Sequence, residues 1–179
     1  MTKNILVISS SLRNRSNSEI LADAFIKGAE AAGHNVEKVS LKNKSIAFCK
    51  GCLACQKIGT CVIKDDAPAI TEKMCQADVI VFATPVYYYG MSGQLKTMLD
   101  RANALFTADY KFREIYALIS AAEDEPYTPE KTITGIQGWI DCFENVKLAG
   151  TVFAGGVTAE NDIAGHPALK EAEELGKNL

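Results

Sequence analysis

Four of the six cysteines lie close together, at a spacing that suits metal or redox chemistry. They are Cys49, Cys52, Cys55 and Cys61, separated by two, two and five residues. Thiolates at such short spacing can enclose a [4Fe–4S] cluster, which takes four cysteine ligands. A zinc ion is a second interpretation, although two well-separated CxxC pairs are more typical of zinc. Four plain thiols that pack or shape a pocket are the third, and all three remain open at the level of sequence.

A second segment, residues 9–18, combines hydroxyl, amide and guanidinium groups with no acidic residue. It leads into a predicted helix, whose free N-terminal amides and positive dipole end favour an anion. The segment contains no glycine and matches neither the Walker loop nor the dinucleotide fingerprint. It therefore predicts a phosphate site of another kind, and a serine-rich turn that only caps the helix is the alternative. The candidate phosphate donors are Ser9, Ser11, Ser16, Asn17 and Ser18, and either Arg13 or Arg15 can add a charge-assisted contact.

A third segment places flat side chains after a strongly apolar run. Residues 84–90 read TPVYYYG and follow the run DVIVFA. Aromatic rings at the end of a sheet can stack on or flank a planar ligand, and a glycine permits close backbone approach. Packing or partner contacts are the alternative role for any single tyrosine. The flat rings are those of Tyr87, Tyr88 and Tyr89, the glycine is Gly90, and Pro85 stiffens the chain before them.

Alternating strand and helix patterns predict how these segments are positioned. Strands are predicted at residues 3–9, 35–40, 78–84, 114–121 and 147–153. Helices are predicted at residues 18–32, 67–76, 92–105 and 166–179, with a further helix starting at Pro129. Such strand–helix–strand units give a parallel sheet with helices on both faces. Because ligands of these sheets bind at the carboxyl ends of the strands, the loops after the first, third and fourth strands are expected to form the site.

The composition excludes several functional classes. The chain has 179 residues, 47% of them hydrophobic and 23% charged, which suits one globular domain spanning residues 1–179. A formal net charge of −3 argues against a nucleic-acid partner. The apolar run at residues 5–8 is too short for a signal peptide or a membrane span, and no longer run follows. We therefore expect a soluble, cytoplasmic protein with no membrane partner.

Three motifs together resemble those of a known family. ISSSLRNRSNSEIL, CKGCLACQKIGTCVIKDD and ATPVYYYGMSGQLKTMLDR are similar to segments of the NAD(P)H-dependent FMN reductases of the flavodoxin-like superfamily. The resemblance covers essentially the whole chain, although many members have a glycine or proline where this chain has Ser11 and Leu12. It implies a flavodoxin-like, doubly wound α/β fold with a five-stranded parallel sheet of order 2-1-3-4-5 and helices on both faces.

The resemblance also implies roles for individual residues. The FMN phosphate would be bound by first-loop residues Ser9, Ser11, Arg13, Ser16, Asn17 and Ser18. The isoalloxazine would be flanked by third-strand loop residues Pro85, Val86, Tyr87, Tyr88 and Tyr89, with Gly90 next to them. The loop after the fourth strand would complete the flavin site with Ser120, Ala121 and Ala122. The cysteine spacing resembles the compact motif of the iron–sulfur flavoproteins, in which a [4Fe–4S] cluster exchanges single electrons with FMN. Family members are commonly homodimers or homotetramers.

The resemblance implies hydride transfer from NAD(P)H to FMN, followed by reduction of a quinone, an azo or nitro compound, free flavin or a redox protein. The flavin carries the chemistry, so no catalytic residue is assigned. One alternative is an iron–sulfur flavoprotein that exchanges electrons with a protein partner. The other is a non-enzymatic flavodoxin-like module that has lost FMN, against which the donor-rich first loop argues.

Overall fold

The computed structural model, which describes residues 1–179, contains a parallel sheet and one short hairpin strand. The sheet order is β2-β1-β3-β5-β6, and β4 pairs antiparallel with the end of β3. The predicted order 2-1-3-4-5 is confirmed, because the five parallel strands follow it in chain order. The strands are β1 (Asn4–Ser9), β2 (Asn35–Ser40), β3 (Val79–Tyr87), β4 (Gly90–Met91), β5 (Glu114–Ser120) and β6 (Lys147–Ala154).

Helices cover both faces of the sheet, as expected. The first begins where the sequence indicates, because the Ser16 hydroxyl accepts from the Glu19 amide as an N-cap at 3.2 Å. No helix is both long and apolar enough to cross a membrane. The helices are α1 (Asn17–Ala31), α2 (Ala54–Ile58), α3 (Ala67–Gln76), α4 (Gly93–Arg101), α5 (Glu130–Ile140) and α6 (Pro167–Lys177), with a 3₁₀ helix at Asn103–Thr107.

The core has two halves, one on each face of the sheet. Helices α1 and α6 pack on one face through side chains such as Phe25 and Ala172. Helices α3, α4 and α5 pack on the other through side chains such as Met74, Leu95 and Ile136. Strand β3 contributes alternate residues to both halves, which explains its continuous apolar sequence.

Two local elements differ from the sequence prediction. Residues 85–92 are expected to be a loop, but β3 continues to Tyr87 and a tight turn returns the chain as β4. The cysteine segment contains α2, a single short helix that follows Leu53 in a left-handed conformation. The hairpin lies at the carboxyl end of β3, and α2 carries one of the clustered cysteines, Cys55.

Candidate functional site

A cavity of about 210 Å³ lies at the carboxyl ends of β1, β3 and β5. It gathers most of the residues that the sequence predicts for FMN. The predicted residues that line it are Ser11, Arg13, Ser16, Asn17, Ser18, Pro85, Val86, Tyr87, Ser120, Ala121 and Ala122. Three loops that are far apart in sequence thus meet at one place, which is the switch point of the strand order.

The first turn of α1 forms the polar end of this cavity. Its first amides have no acceptor within the helix, and the helix dipole adds partial positive charge there. The Ser18 hydroxyl is 1% exposed and has no hydrogen-bond partner in the protein. Buried hydroxyls normally have a partner, so Ser18 points to a missing acceptor. A phosphate at this helix end would supply it, which means that the residues present fit the phosphate of FMN.

Residues 157–163, which follow β6, form a further wall that the sequence analysis missed. Val157, Thr158, Ala159 and Glu160 line the cavity. The Gly155-Gly156 pair after the last strand is the signal that could have found this wall, because that strand also ends at the carboxyl edge. The sequence prediction assigned the site only to the loops after the first, third and fourth strands.

This wall is tied to the first loop by side-chain hydrogen bonds. Arg13 Nη1 donates to the Thr158 carbonyl at 2.7 Å, and Asn17 Nδ2 donates to the Ala159 carbonyl at 2.9 Å. The Asn17 carbonyl oxygen in turn accepts from the Ile163 amide at 3.2 Å. Asn17 therefore holds the wall with both ends of its carboxamide, whereas the sequence suggests a free phosphate donor.

Four of the residues predicted for FMN do not line the cavity. Ser9 lies at the end of β1, fully buried, with an unpartnered hydroxyl. Tyr88, Tyr89 and Gly90 lie at the hairpin beyond the cavity, and Tyr88 is fully exposed. Tyr88 and Tyr89 have φ values of +49° and +64°, the condition of a type I′ turn. Their assignment to the flavin remains a prediction.

Tyr89 is held by neighbours from the loop after β5 and from α5. Its hydroxyl donates to a Glu123 carboxylate oxygen at 3.3 Å, and Lys131 Nζ lies 5.3 Å from the ring centroid. The Glu123 carboxylate raises the pKa of the Tyr89 phenol. Thr132 Oγ1 donates to the Tyr89 carbonyl at 3.3 Å. The hairpin is thus fixed against α5 next to the cavity.

Larger cavities lie at the opposite edge of the sheet. One of about 450 Å³ includes Asn4 and Asn35, which begin β1 and β2, and another of about 800 Å³ is lined by Lys3, Glu114 and Lys147 among others. Ligands of parallel sheets bind at the carboxyl ends, where helix N-termini converge. The cavities at the amino ends of the strands therefore lack the helix N-terminus that makes the smaller cavity a candidate for binding a phosphate.

The four clustered cysteines line a second cavity of about 350 Å³. Three of their sulfurs accept N–H groups: Cys49 Sγ from the Gly51 amide at 3.4 Å, Cys55 Sγ from Asn103 Nδ2 at 3.3 Å, and Cys61 Sγ from Arg101 Nη2 at 3.4 Å. No group of three His, Cys, Asp or Glu side chains is arranged around a single ion. The four thiols are nevertheless gathered at one cavity, and cysteine thiolates are the ligand type that a [4Fe–4S] cluster takes.

Arg101 joins the two ends of the cysteine segment. Its side chain is fully buried and pairs with Asp65 through two contacts, Nη1 to Oδ2 at 2.6 Å and Nη2 to Oδ1 at 2.9 Å. Nη1 also donates to the Ala47 carbonyl at 2.7 Å, and Asp65 accepts from the Ala47 and Ala67 amides. The two residues are 36 positions apart in the sequence, so their pairing is not apparent before the fold is known.

The pKa values of this pair follow from its surroundings. Burial by itself raises the pKa of the Asp65 carboxyl, but hydrogen bonds from Arg101, Ala47 and Ala67 outweigh it and hold that pKa below its ordinary range. The hydrogen bond to Asp65 raises the pKa of Arg101, against the opposing effect of burial. Both groups are charged at neutral pH, so they form a buried ion pair beneath the cysteine cavity.

Comparison with known proteins identifies the family of the chain. Residues 3–124 match the model of the family described as NADPH-dependent FMN reductase. An iron–sulfur flavoprotein from Methanosarcina thermophila is 33% identical over 168 residues, covering 92% of this chain and 88% of that protein. A putative NAD(P)H-dependent FMN-containing oxidoreductase from Bacillus subtilis is 28% identical and covers 97% of this chain and 96% of that protein.

Other matches are partial or concern the fold alone. Four further iron–sulfur flavoproteins from Archaeoglobus fulgidus and Methanocaldococcus jannaschii match over 40–55% of their own lengths. The solved structure of an NAD(P)H:quinone oxidoreductase from Methanothermobacter marburgensis superimposes with a TM-score of 0.79 at 20% identity, covering 99% of this chain and 96% of that one. Because the family model matches most of the sequence, and two relatives match over nearly the whole chain, this chain belongs to the NADPH-dependent FMN reductase family.

Proposed function

We propose that this chain takes electrons from NAD(P)H by way of FMN held in the cavity of about 210 Å³ and delivers them to a small-molecule acceptor such as a quinone or an azo or nitro compound. The observation that carries the proposal is the unpartnered, buried Ser18 hydroxyl at the N-terminus of α1. FMN supplies the hydride-accepting chemistry when bound, and the protein binds and orients it.

The proposal assigns the lining residues to two tasks. Ser16 and Ser18 donate their hydroxyl hydrogens, together with the first amides of α1, to the phosphate. Pro85, Val86 and Tyr87 form the side of the cavity towards the hairpin, and its volume is below the range of about 300–1,000 Å³ that encloses a drug-sized ligand. A ligand as large as FMN therefore extends beyond the cavity, and the exposed tyrosines of the hairpin lie next to it.

A binding comparison between FMN and riboflavin tests this assignment. The two ligands share the ring system and differ in the phosphate, so the expected result is tight FMN binding and at least tenfold weaker riboflavin binding, measured by quenching of flavin fluorescence. Oxidation of NADPH and NADH is then followed at 340 nm with a quinone as acceptor. Equal affinity for both flavins would place the phosphate elsewhere, and no flavin binding would favour a non-enzymatic module.

A second proposal concerns the cysteines. We propose that the four thiols, which line one cavity, hold a [4Fe–4S] cluster, and three of their sulfurs already accept N–H hydrogen bonds. A cluster held by Cys49, Cys52, Cys55 and Cys61 would supply one-electron transfer to a redox partner. The long relative from Methanosarcina thermophila, which is named an iron–sulfur flavoprotein, supports the same proposal.

Iron analysis of anaerobically prepared protein tests the cluster. About four irons per chain are expected, with a broad visible absorption that dithionite bleaches. The variant Cys52→Ser should lose this absorption, whereas Cys142→Ser, a change at an exposed cysteine outside the segment, should retain it. Iron-free protein after reconstitution with iron and sulfide would leave the FMN proposal in place and remove the cluster.

A further inference from the structure

Two side chains beneath the cysteine cavity contact its sulfurs without being candidate ligands. Asn103, at the start of the 3₁₀ helix, donates to Cys55 Sγ, and Arg101, the last residue of α4, donates to Cys61 Sγ. Both residues line the cavity. Arg101 also carries a buried Nε–H with no hydrogen-bond partner. These donors come from elements outside the cysteine segment, so they reach the sulfurs through the tertiary fold.

The position of Arg101 is fixed independently of the sulfurs. Its guanidinium group is held by both carboxylate oxygens of Asp65 and by the Ala47 carbonyl. A planar guanidinium with two anchored edges has little freedom to turn. The guanidinium charge therefore stays at a fixed position next to Cys61. Solvent and salt screen this charge little, because the Arg101 side chain is fully buried.

Hydrogen bonds to sulfur and nearby positive charge alter the electron affinity of an iron–sulfur site. Adding one electron increases the negative charge on the sulfurs without making or breaking a bond, so N–H donors stabilise the reduced state more than the oxidised state. We propose that Arg101 and Asn103 are positioning residues that raise the reduction potential of a cluster held by the four cysteines, with Asp65 fixing Arg101. This inference rests on the proposed cluster.

A redox titration of the reconstituted full chain tests the inference. Asn103→Leu keeps the size of the side chain and removes its donors, while Arg101→Lys keeps the charge and loses the planar fork. Both variants are expected to hold about four irons and to show midpoint potentials more negative than the wild type, followed by visible absorption during dithionite titration. Thr107→Val is the matched control, because Thr107 of the same 3₁₀ helix donates to the Gln56 carbonyl and contacts no sulfur.

The outcomes separate this inference from the cluster proposal. A wild-type chain that takes up no iron overturns both. A wild-type chain with four irons, beside an Asn103→Leu variant with an unchanged midpoint, overturns this inference alone, as does an equal shift in Thr107→Val. If Asn103→Leu loads less iron, the smaller and uncharged Asn103→Ala also removes the amide donors. Its midpoint must become more negative, and an unchanged midpoint there overturns the inference.

Discussion

Ser9 and Ser18 are both buried, and neither hydroxyl has a hydrogen-bond partner. They differ in position, because Ser18 lines the cavity at the N-terminus of α1 and Ser9 does not. Their chemical identity and similar burial make them a matched pair. Comparing substitutions at the two serines separates the effect on FMN binding of a hydroxyl in the cavity from the general effect of removing a buried hydroxyl.

Ser18→Ala is expected to weaken FMN binding by about 10- to 100-fold, since hydrogen bonds to charged groups contribute about 1.5–3 kcal/mol. The unfolding free energy of the flavin-free protein should not fall, because an unpartnered buried hydroxyl contributes nothing favourable to it. Ser9→Ala should leave the FMN dissociation constant unchanged. Fluorescence titration and urea unfolding measure the two quantities, and an equal loss of affinity in both variants would contradict the cavity assignment.

The Arg101–Asp65 ion pair predicts acid sensitivity. The folded-state pKa of Asp65 lies below its ordinary value of about 3.9, so its stabilisation is complete above about pH 4 and is lost as the pH falls through the lowered pKa. At pH 7, Asp65→Asn should cost about 3–5 kcal/mol, because it leaves the buried Arg101 charge without a carboxylate. The unfolding free energy of the Asp65→Asn variant should also depend less on pH between pH 5 and 3 than that of the wild type does.

The control for Asp65 is Asp100→Asn. Asp100 pairs with Lys96 at 2.6 Å on an exposed helix surface, where such pairs contribute about 0.2–0.5 kcal/mol. Urea unfolding of the three proteins across this pH range makes the comparison. If Asp65→Asn lowers the unfolding free energy as little as Asp100→Asn does, the buried pair does not hold the cysteine segment.

Residue types near a predicted switch point were enough to find most of the cavity lining. The sequence could not show that Asn17 turns its carboxamide to Ala159 and Ile163, because these partners lie more than 140 residues away. The same holds for Arg101. Arg101 is five residues after Lys96 on an amphipathic helix, and its sequence position indicates only an ordinary structural role, whereas the fold places it against Asp65.

At the scale of elements, α1 and α6 cross at two glycines. A Cβ at Gly28 would lie 1.9 Å from the Glu173 carbonyl oxygen, and one at Gly176 would lie 2.2 Å from the Phe25 carbonyl oxygen. Both contacts are to backbone, which cannot turn aside as a side chain can. Because glycine has no side chain, these two positions allow the backbones of α1 and α6 to approach this closely.

Gly28→Ala is accordingly expected to destabilise the protein by about 1–3 kcal/mol, the range for overpacking. Gly138→Ala is the matched control in α5, where a Cβ meets no atom within 4 Å. It should stabilise the protein by about 0.5–1 kcal/mol, because alanine loses less backbone entropy in a helix than glycine does. Thermal or urea unfolding gives both values, and a stabilised Gly28→Ala variant would contradict the close crossing.

The hairpin after β3 predicts a substitution that increases stability. Tyr88 has a positive φ and a fully exposed side chain, so its left-handed backbone costs about 1–2 kcal/mol without compensating packing. Tyr88→Asn should raise the unfolding free energy by about 1 kcal/mol, since asparagine is favoured at this position of a type I′ turn. Tyr87→Asn, in the strand before the turn, should bring no such gain. A less stable Tyr88→Asn protein would mean that the tyrosine has contacts with a partner.

Strands β1, β3 and β5 were predictable because each carries a buried apolar run, whereas this hairpin was not. Its turn contains two tyrosines in place of the usual asparagine and glycine, so the local signal for a type I′ turn is absent. Helix α2 was missed for a similar reason. It has five residues and follows a left-handed Leu53, and no periodic pattern can develop over so short a length.

At the scale of the whole molecule, the two candidate sites are separate. The cavity assigned to FMN is lined by the ends of β1, β3, β5 and β6, while the cysteine cavity is lined by the cysteine segment, the end of α4 and the 3₁₀ helix. No residue lines both. One sheet thus supports two candidate sites, and the cysteine segment does not line the cavity assigned to FMN.

This separation predicts that the two cofactors load independently. Substitutions at sites without shared partners usually add within about 0.3–0.5 kcal/mol, so FMN affinity in a Cys49→Ser/Cys52→Ser variant should stay within about twofold of the wild type. Ser18→Ala should in turn leave the iron content unchanged. Fluorescence titration and iron analysis of the same preparations measure both. A tenfold loss of FMN affinity in the cysteine variant would instead mean that the cysteine segment closes over the flavin, and that the two cavities form one site when both cofactors are bound.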